Sequence, residues 1–249
     1  MSNYEDTVQK LTQLIEQYPD IPNAVFHDDE DWKITSVMYL YPKAFAVKWG
    51  DDWNLKVKKM TITAGKTKKL DWISEMFPNL IHLNLSGSSP IKSLMGLEKL
   101  TNLKVLCLEK LSNWKDLNEL KNIKELRRLR IEVNSKDLKI ELSELPEGIS
   151  DLYIGQNKFE DLLFAEDLDF TRFKNLKVLT IIATQLGDGA SFKLPNSLKE
   201  LYIYKNNSFT NLSMFSELSE DCKIVIRSLQ LSKMTMPKEF KNIKIFPHD

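Results

Sequence analysis

An apolar-x-x-apolar-x-apolar pattern recurs nine times along this 249-residue chain, mostly at one spacing. The middle apolar residues are Met60, Leu83, Leu106, Leu129, Leu152, Leu179, Leu201, Ile224 and a terminal Ile243 or Phe246. By subtraction, the first four intervals are 23 residues each and the next three are 27, 22 and 23. A fixed period of this length means one supersecondary unit stacked on copies of itself, because a single unit cannot bury its apolar face alone. Such an array presents one long open surface to a partner in place of a closed cleft, which points to binding before it points to chemistry.

The clearest unit spans residues 80–103. Leu80, Leu83 and Leu85 predict a short strand with three inward side chains, and Ile91, Leu94, Leu97 and Leu100 follow at intervals of three, as a short helix or 3₁₀ turns require. The next unit copies the register with Leu103, Leu106 and Leu108, then Trp114, Leu117, Leu120 and Ile123. Residues 145–154 and 194–203 also echo one another, from Leu145-Pro146 and Leu194-Pro195 to Leu152-Tyr153-Ile154 and Leu201-Tyr202-Ile203.

Over roughly residues 55–246 these units resemble the leucine-rich repeat family, in the short-repeat pattern of its internalin-like and phosphatase-regulator-like members. The Leu-Pro opening looks like that of bacterial-type repeats, which often serve as effectors or host-interaction modules. The resemblance implies an α/β solenoid: a curved parallel sheet on the concave face, short helices or 3₁₀ turns on the convex face, and an N-terminal helical cap. It also implies an asparagine ladder in the turns, five positions after each middle leucine. Asn134, Asn157 and Asn206 fit it, and Ser88 and Thr184 substitute. Gly65, Leu111 and Leu229 depart from it, so the ladder is expected to break there and some turns to be irregular.

Two domains are expected, a cap over residues 1–54 and a repeat domain over 55–249. Tyr4, Val8, Leu11, Ile15 and Tyr18 share one face of a predicted helix over 3–18, with Ser2 and Glu5 at capping-box spacing and Pro19 as its stop. Beyond it lies an aromatic-rich stretch with Trp32, Tyr39, Tyr41, Phe45, Trp49 and Trp53. Val37 precedes Met60 by a further 23 residues, which suggests a degenerate repeat; segments 35–40 and 44–49 would equally form a hairpin.

With 35 basic and 35 acidic residues the formal net charge is zero, which argues against a general polyanion binder. The acidic N-terminus has no apolar signal region and no run of residues is long and apolar enough to span a bilayer, so a cytoplasmic protein with no membrane partner is expected. Export without a cleaved signal stays open. Cys107 and Cys222 lie five repeats apart, roughly 24 Å at about 4.8 Å per strand, beyond the ~7 Å limit for a disulfide. Two free thiols are expected. Three glycosylation sequons, at Asn84, Asn206 and Asn211, read as chance. The 27-residue interval carries Glu160, Asp161, Glu166, Asp167 and Asp169, an expected solvated loop or a dock for a basic partner.

Catalytic signatures are missing. His27, His82 and His248 are far apart in the chain, without metal-ligand spacing. Ala64-Gly65-Lys66-Thr67 imitates the end of a phosphate loop, but Met60 stands where that loop needs a glycine. No catalytic residue, metal or cofactor is expected. An enzyme would need its site near His27, Asp28, Asp29, Glu30 and Asp31, a run that reads better as a solvated acidic loop.

Strand side chains alternate, so the residues flanking each middle leucine should point outward. At the centre and C-terminal end these are Arg128, Arg130, Asp151, Tyr153, Val178, Ile182, Glu200, Tyr202, Tyr204 and Arg227, the expected contact surface for an unidentified protein. Tyrosine and arginine dominate interface energetics. Arg130 is expected to pair with a partner carboxylate in a bidentate fork. A nucleic-acid surface would use Arg128, Arg130, Lys223 and Arg227, but Glu132, Asp151 and Glu200 beside them argue against it.

Overall fold

The computed structural model describes residues 24–27, 34–37, 55, 57–62, 70–85, 91, 93–111, 114, 116–134, 138, 140–156, 168–182, 193–206, 215, 218–228 and 243–247. Two short strands come first, β1 (Ala24–His27) and β2 (Ile34–Val37). The repeats then supply β3 (Lys59–Ile62), β4 (His82–Leu85), β5 (Val105–Leu111), β6 (Arg128–Val133), β7 (Asp151–Gln156), β8 (Val178–Ile182), β9 (Glu200–Asn206), β10 (Lys223–Ser228) and β11 (Ile243–Pro247). All belong to one sheet, in which β3 to β11 lie side by side in chain order.

Every neighbouring pair from β3 to β11 is parallel, and the backbone register is the register of the repeat. Met60 stands opposite Leu83, Leu83 opposite Leu106, and so on through Leu129, Leu152, Leu179, Leu201 and Ile224. The last match is Ile243; Phe246 pairs with Arg227. In β6 the alternation is plain, with Leu129, Ile131 and Val133 buried and Arg128, Arg130 and Glu132 on the other face.

A second ladder fixes the stagger where each strand begins. The carbonyl of Lys58 accepts the N–H groups of both Ile81 and His82, and Ile81, Lys104, Arg127, Ser150 and Lys177 each do the same for the next repeat, all at 2.8–3.1 Å. Ser150 bonds Lys177 and Val178 across the 27-residue interval, so the extra residues leave the stack in phase. An insertion between strands costs little if the strands themselves stay in step.

Behind the sheet, the stripes at intervals of three close the core. Ile91, Leu94, Leu97 and Leu100 are buried, as are Trp114, Leu117, Leu120 and Ile123. Their backbone forms 3₁₀ turns at Leu97–Lys99 and Asn118–Asn122, with a third at Leu142–Glu144. One α-helix, α1 (Asp71–Met76), replaces the turn in the first repeat and buries Trp72, Ile73 and Met76. Gly96 is pinned against it: φ is +99°, and a Cβ there would fall 2.5 Å from the Asp71 Cα, so no other residue fits. Among the described residues no helix is long and apolar enough to cross a membrane.

Carboxylates on this convex side reach between repeats. Glu144, itself buried, accepts the Leu117 N–H at 2.9 Å, and Glu119 accepts the N–H of Leu94 and the Ser93 hydroxyl. The first amides of a helical turn have no partner within the turn, and here a side chain from the following repeat supplies one. Arg172 provides the converse contact, donating from Nη1 to the Leu142 carbonyl at 2.7 Å.

The N-terminal strands depart from one of the two sequence readings. β1 pairs antiparallel with both β2 and β3, and β2 forms the sheet edge. Val37 therefore stands opposite Ala24 and not beside Met60, so its 23-residue offset does not mark a stacked repeat. A hairpin joins 24–27 to 34–37; residues 44–49, the second half of the hairpin considered above, and the predicted helix over 3–18 lie outside the described residues. At β5 the register shifts between Leu108 and Leu111, with Lys110 at φ 59°, an irregularity where Leu111 departs from the asparagine pattern.

Candidate functional site

Stacking in register turns the outward positions into rows that run across the sheet. One row reads Val105, Arg128, Asp151, Val178, Glu200, Lys223, and the next Cys107, Arg130, Tyr153, Thr180, Tyr202, Val225. A third carries Glu132, Gly155, Ile182, Tyr204 and Arg227. All ten residues expected to form a contact surface thus lie on one face, over the five strands β6 to β10.

Arg128 donates from Nε to Asp151 Oδ2 at 3.2 Å across the strand pair. Arg130 is more heavily engaged. It donates to Glu132, lies 4.0 Å from Glu109 and stacks its guanidinium 4.2 Å above the Tyr153 ring. The residue expected to pair with a partner carboxylate is thus already engaged by neighbouring glutamates. Burial pushes the Tyr153 hydroxyl above its ordinary pKa, against the pull of Arg130.

Gly155 and Val225 also correct the outward reading. A Cβ on Gly155 would meet the Tyr153 ring at 3.0 Å, so the tyrosine lies along its own strand and covers the glycine. Val225 is only 8% exposed. Alternation gives the direction of a side chain, and neighbours decide whether it reaches solvent.

Toward the C-terminal end the pairs are aromatic. The Tyr202 and Tyr204 rings stack with centroids 6.2 Å apart. The Tyr202 hydroxyl donates to Glu200 and accepts from Lys223 Nζ at 2.9 Å, and that hydrogen bond raises the lysine pKa above its usual value. Lys223 lies 5.2 Å over the Tyr202 ring and Arg227 5.6 Å over Tyr204. Between the arginine and tyrosine groups, β8 contributes half-buried Val178, Thr180 and Ile182.

An open depression of about 370 Å³ lies over β5 to β8, between Val105 and Val178. Val105, Cys107 and Thr180 in its lining were outside the expected contact set, although their positions beside the middle leucines mark them equally well. Cys107 Sγ sits 3.9 Å from His82 Nε2, but burial raises the thiol pKa and Glu109 raises it further, which opposes a reactive thiolate. Both cysteines are free, Cys107 half-buried and Cys222 buried. Among the described residues no group of three or more His, Cys, Asp or Glu could hold a metal. Of the acidic residues in the 160–169 stretch, Asp169 lies among the described residues. It accepts the Thr171 N–H at 3.0 Å and lies 3.5 Å from Lys193, and the Thr171 hydroxyl bond leads the causes that lower its pKa.

A family profile describing the leucine-rich repeat domain of the endo-β-N-acetylglucosaminidase EndoS matches residues 73–184. Among solved structures, internalin C2 of Listeria monocytogenes is similar with a TM-score of 0.54 and 15% identity, over 79% of this chain and 83% of that one. A second internalin of that organism, inlF, gives a TM-score of 0.44 at 18% identity, over 79% of this chain and 68% of that one. No curated protein matches the sequence. With the repeat carried in register by backbone pairing from Met60 to Ile243, the fold is a leucine-rich repeat solenoid, and residues 73–184 match a leucine-rich repeat profile.

Proposed function

We propose that this protein is a non-enzymatic interaction module that holds a partner protein against the outward face of β6 to β10. An adaptor, an effector and an inhibitor or immunity protein would all use such a face. The observation that carries the reading is the cluster of cation–tyrosine pairs on that one face: Arg130 with Tyr153, Lys223 with Tyr202, and Arg227 with Tyr204. These rings are held in place before any partner arrives, so little ordering entropy is spent on them at binding. Internal ion pairing weighs against a polyanion as the partner, because Arg128, Arg130 and Lys223 each have a carboxylate within 4.0 Å. Affinity capture with the intact chain, followed by binding of the purified partner to Tyr153→Ala and Tyr202→Ala, tests the reading. A loss of about thirtyfold is expected for a true anchor; unchanged affinity in both variants places the partner elsewhere.

A further inference from the structure

We propose that Arg128 reads a carboxylate on the partner, and that the bound segment presents an acidic side chain next to an aliphatic one. The proposal rests on the concave-face reading and narrows it to one residue and one partner chemistry. Both central arginines line the depression, and Arg128 is the more exposed, 66% against 42%. Arg130 is taken up by Glu132, Glu109 and the Tyr153 ring. Arg128 makes one contact among the described residues, from Nε to Asp151, and its side chain is 66% exposed. That contact engages Nε and leaves both terminal amino groups without a hydrogen-bond partner among the described residues. A planar pair of N–H donors matches the two oxygens of a carboxylate.

The shape around it agrees. The charged lining residues are Arg128, Arg130 and Asp151, and Glu109 and Glu132 stand against Arg130. Val105 and Val178 flank Arg128 and Asp151 in the same row, so apolar walls stand at both ends of the ion pair. The depression is open and continuous with the rest of the sheet face, which suits a peptide segment crossing the strands better than an enclosed small molecule. With Arg128 beside Asp151 and Arg130 beside Glu109 and Glu132, the site has no surplus of positive charge to track a phosphate backbone.

The test is selection of a displayed library of random linear peptides on the immobilised full chain. Enriched peptides should share Asp or Glu beside Val, Ile or Leu. Arg128→Ala should lower their affinity about tenfold or more, and Arg128→Lys should keep only part of it, since an ammonium lacks the fork. Neither variant should shift the melting temperature by more than a surface ion pair is worth. A consensus without an acidic residue, full affinity for Arg128→Ala, or no enrichment at all overturns the proposal. If Arg128→Ala binds the peptides fully while Tyr202→Ala does not, the concave face still binds and only the assignment to Arg128 fails. If all these variants bind equally, the concave-face reading fails as well. A single-stranded oligonucleotide that binds more tightly than the peptides and is lost in Arg128→Ala would give the site to nucleic acid and also overturn the proposal.

Discussion

On the convex side Glu144 reaches back one repeat to the Leu117 N–H at 2.9 Å and is 6% exposed, whereas on the concave side Arg128 meets Asp151 at 3.2 Å with most of its side chain in solvent. Both contacts join neighbouring repeats. They differ in what would be lost. Removing the glutamate strands a buried backbone donor, which costs about 1–3 kcal/mol. Removing an exposed arginine breaks a surface ion pair worth about 0–1 kcal/mol. The same stacking therefore produces a face whose charges hold the fold and a face whose charges contribute little to it.

The division is bounded by the core that both faces share. Leu106 is fully buried between Leu83 and Leu129, so Leu106→Ala should cost about 2–5 kcal/mol in denaturant melts. Neighbour-only coupling allows that loss to unfold part of the array and spare the rest, seen as a split or broadened transition. A change below about half a kcal/mol would say that the register is wrong. Next in size, Glu144→Ala should cost about 1–3 kcal/mol, several times the effect of Arg128→Ala. Equal costs for the two would remove the contrast between the faces.

A smaller effect sharpens it. Burial raises the Glu144 carboxyl above the ordinary carboxylate value, with the Leu117 N–H opposing and Glu141 and Asp116 reinforcing. The folded protein then holds this proton more tightly than the unfolded chain, so stability from this group falls as pH rises from the ordinary carboxylate value through the raised one. Glutamine can still accept the Leu117 N–H but does not titrate. The stability of Glu144→Gln relative to wild type should rise with pH across that window; a flat or falling difference in melts at several pH values contradicts the burial. Smallest of all, thiol labelling should modify half-buried Cys107 faster than buried Cys222, and the reverse order would contradict the outward placement of Cys107.

Much of the concave face was legible because strand alternation and a fixed period act together. Once Leu83, Leu106 and Leu129 are placed in register, the flanking residues follow. The convex carboxylates were not legible. Glu119 and Glu144 each stand two residues after a buried leucine and look like solvated charge, until the unpartnered amides of the preceding turn are in view. Gly96 occupies the same position in an earlier repeat, where the α1 backbone leaves no room for a side chain. Val37 misled for a simpler reason: spacing does not show which strands are neighbours, and β1 stands between β2 and β3. The engagement of Arg130 was not legible either, because its carboxylate neighbours come from β5 and from its own strand.

The central claim, that recognition and folding reside on separable faces, is tested most directly by Tyr202→Ala, with partner affinity and the denaturant melt measured on the same sample. Tyr202 is half-buried, stacked on Tyr204 and bonded to Glu200 and Lys223 on the open face. Affinity should fall by about thirtyfold while stability changes by no more than about 1 kcal/mol. A variant that loses several kcal/mol of stability and keeps its affinity would contradict the account.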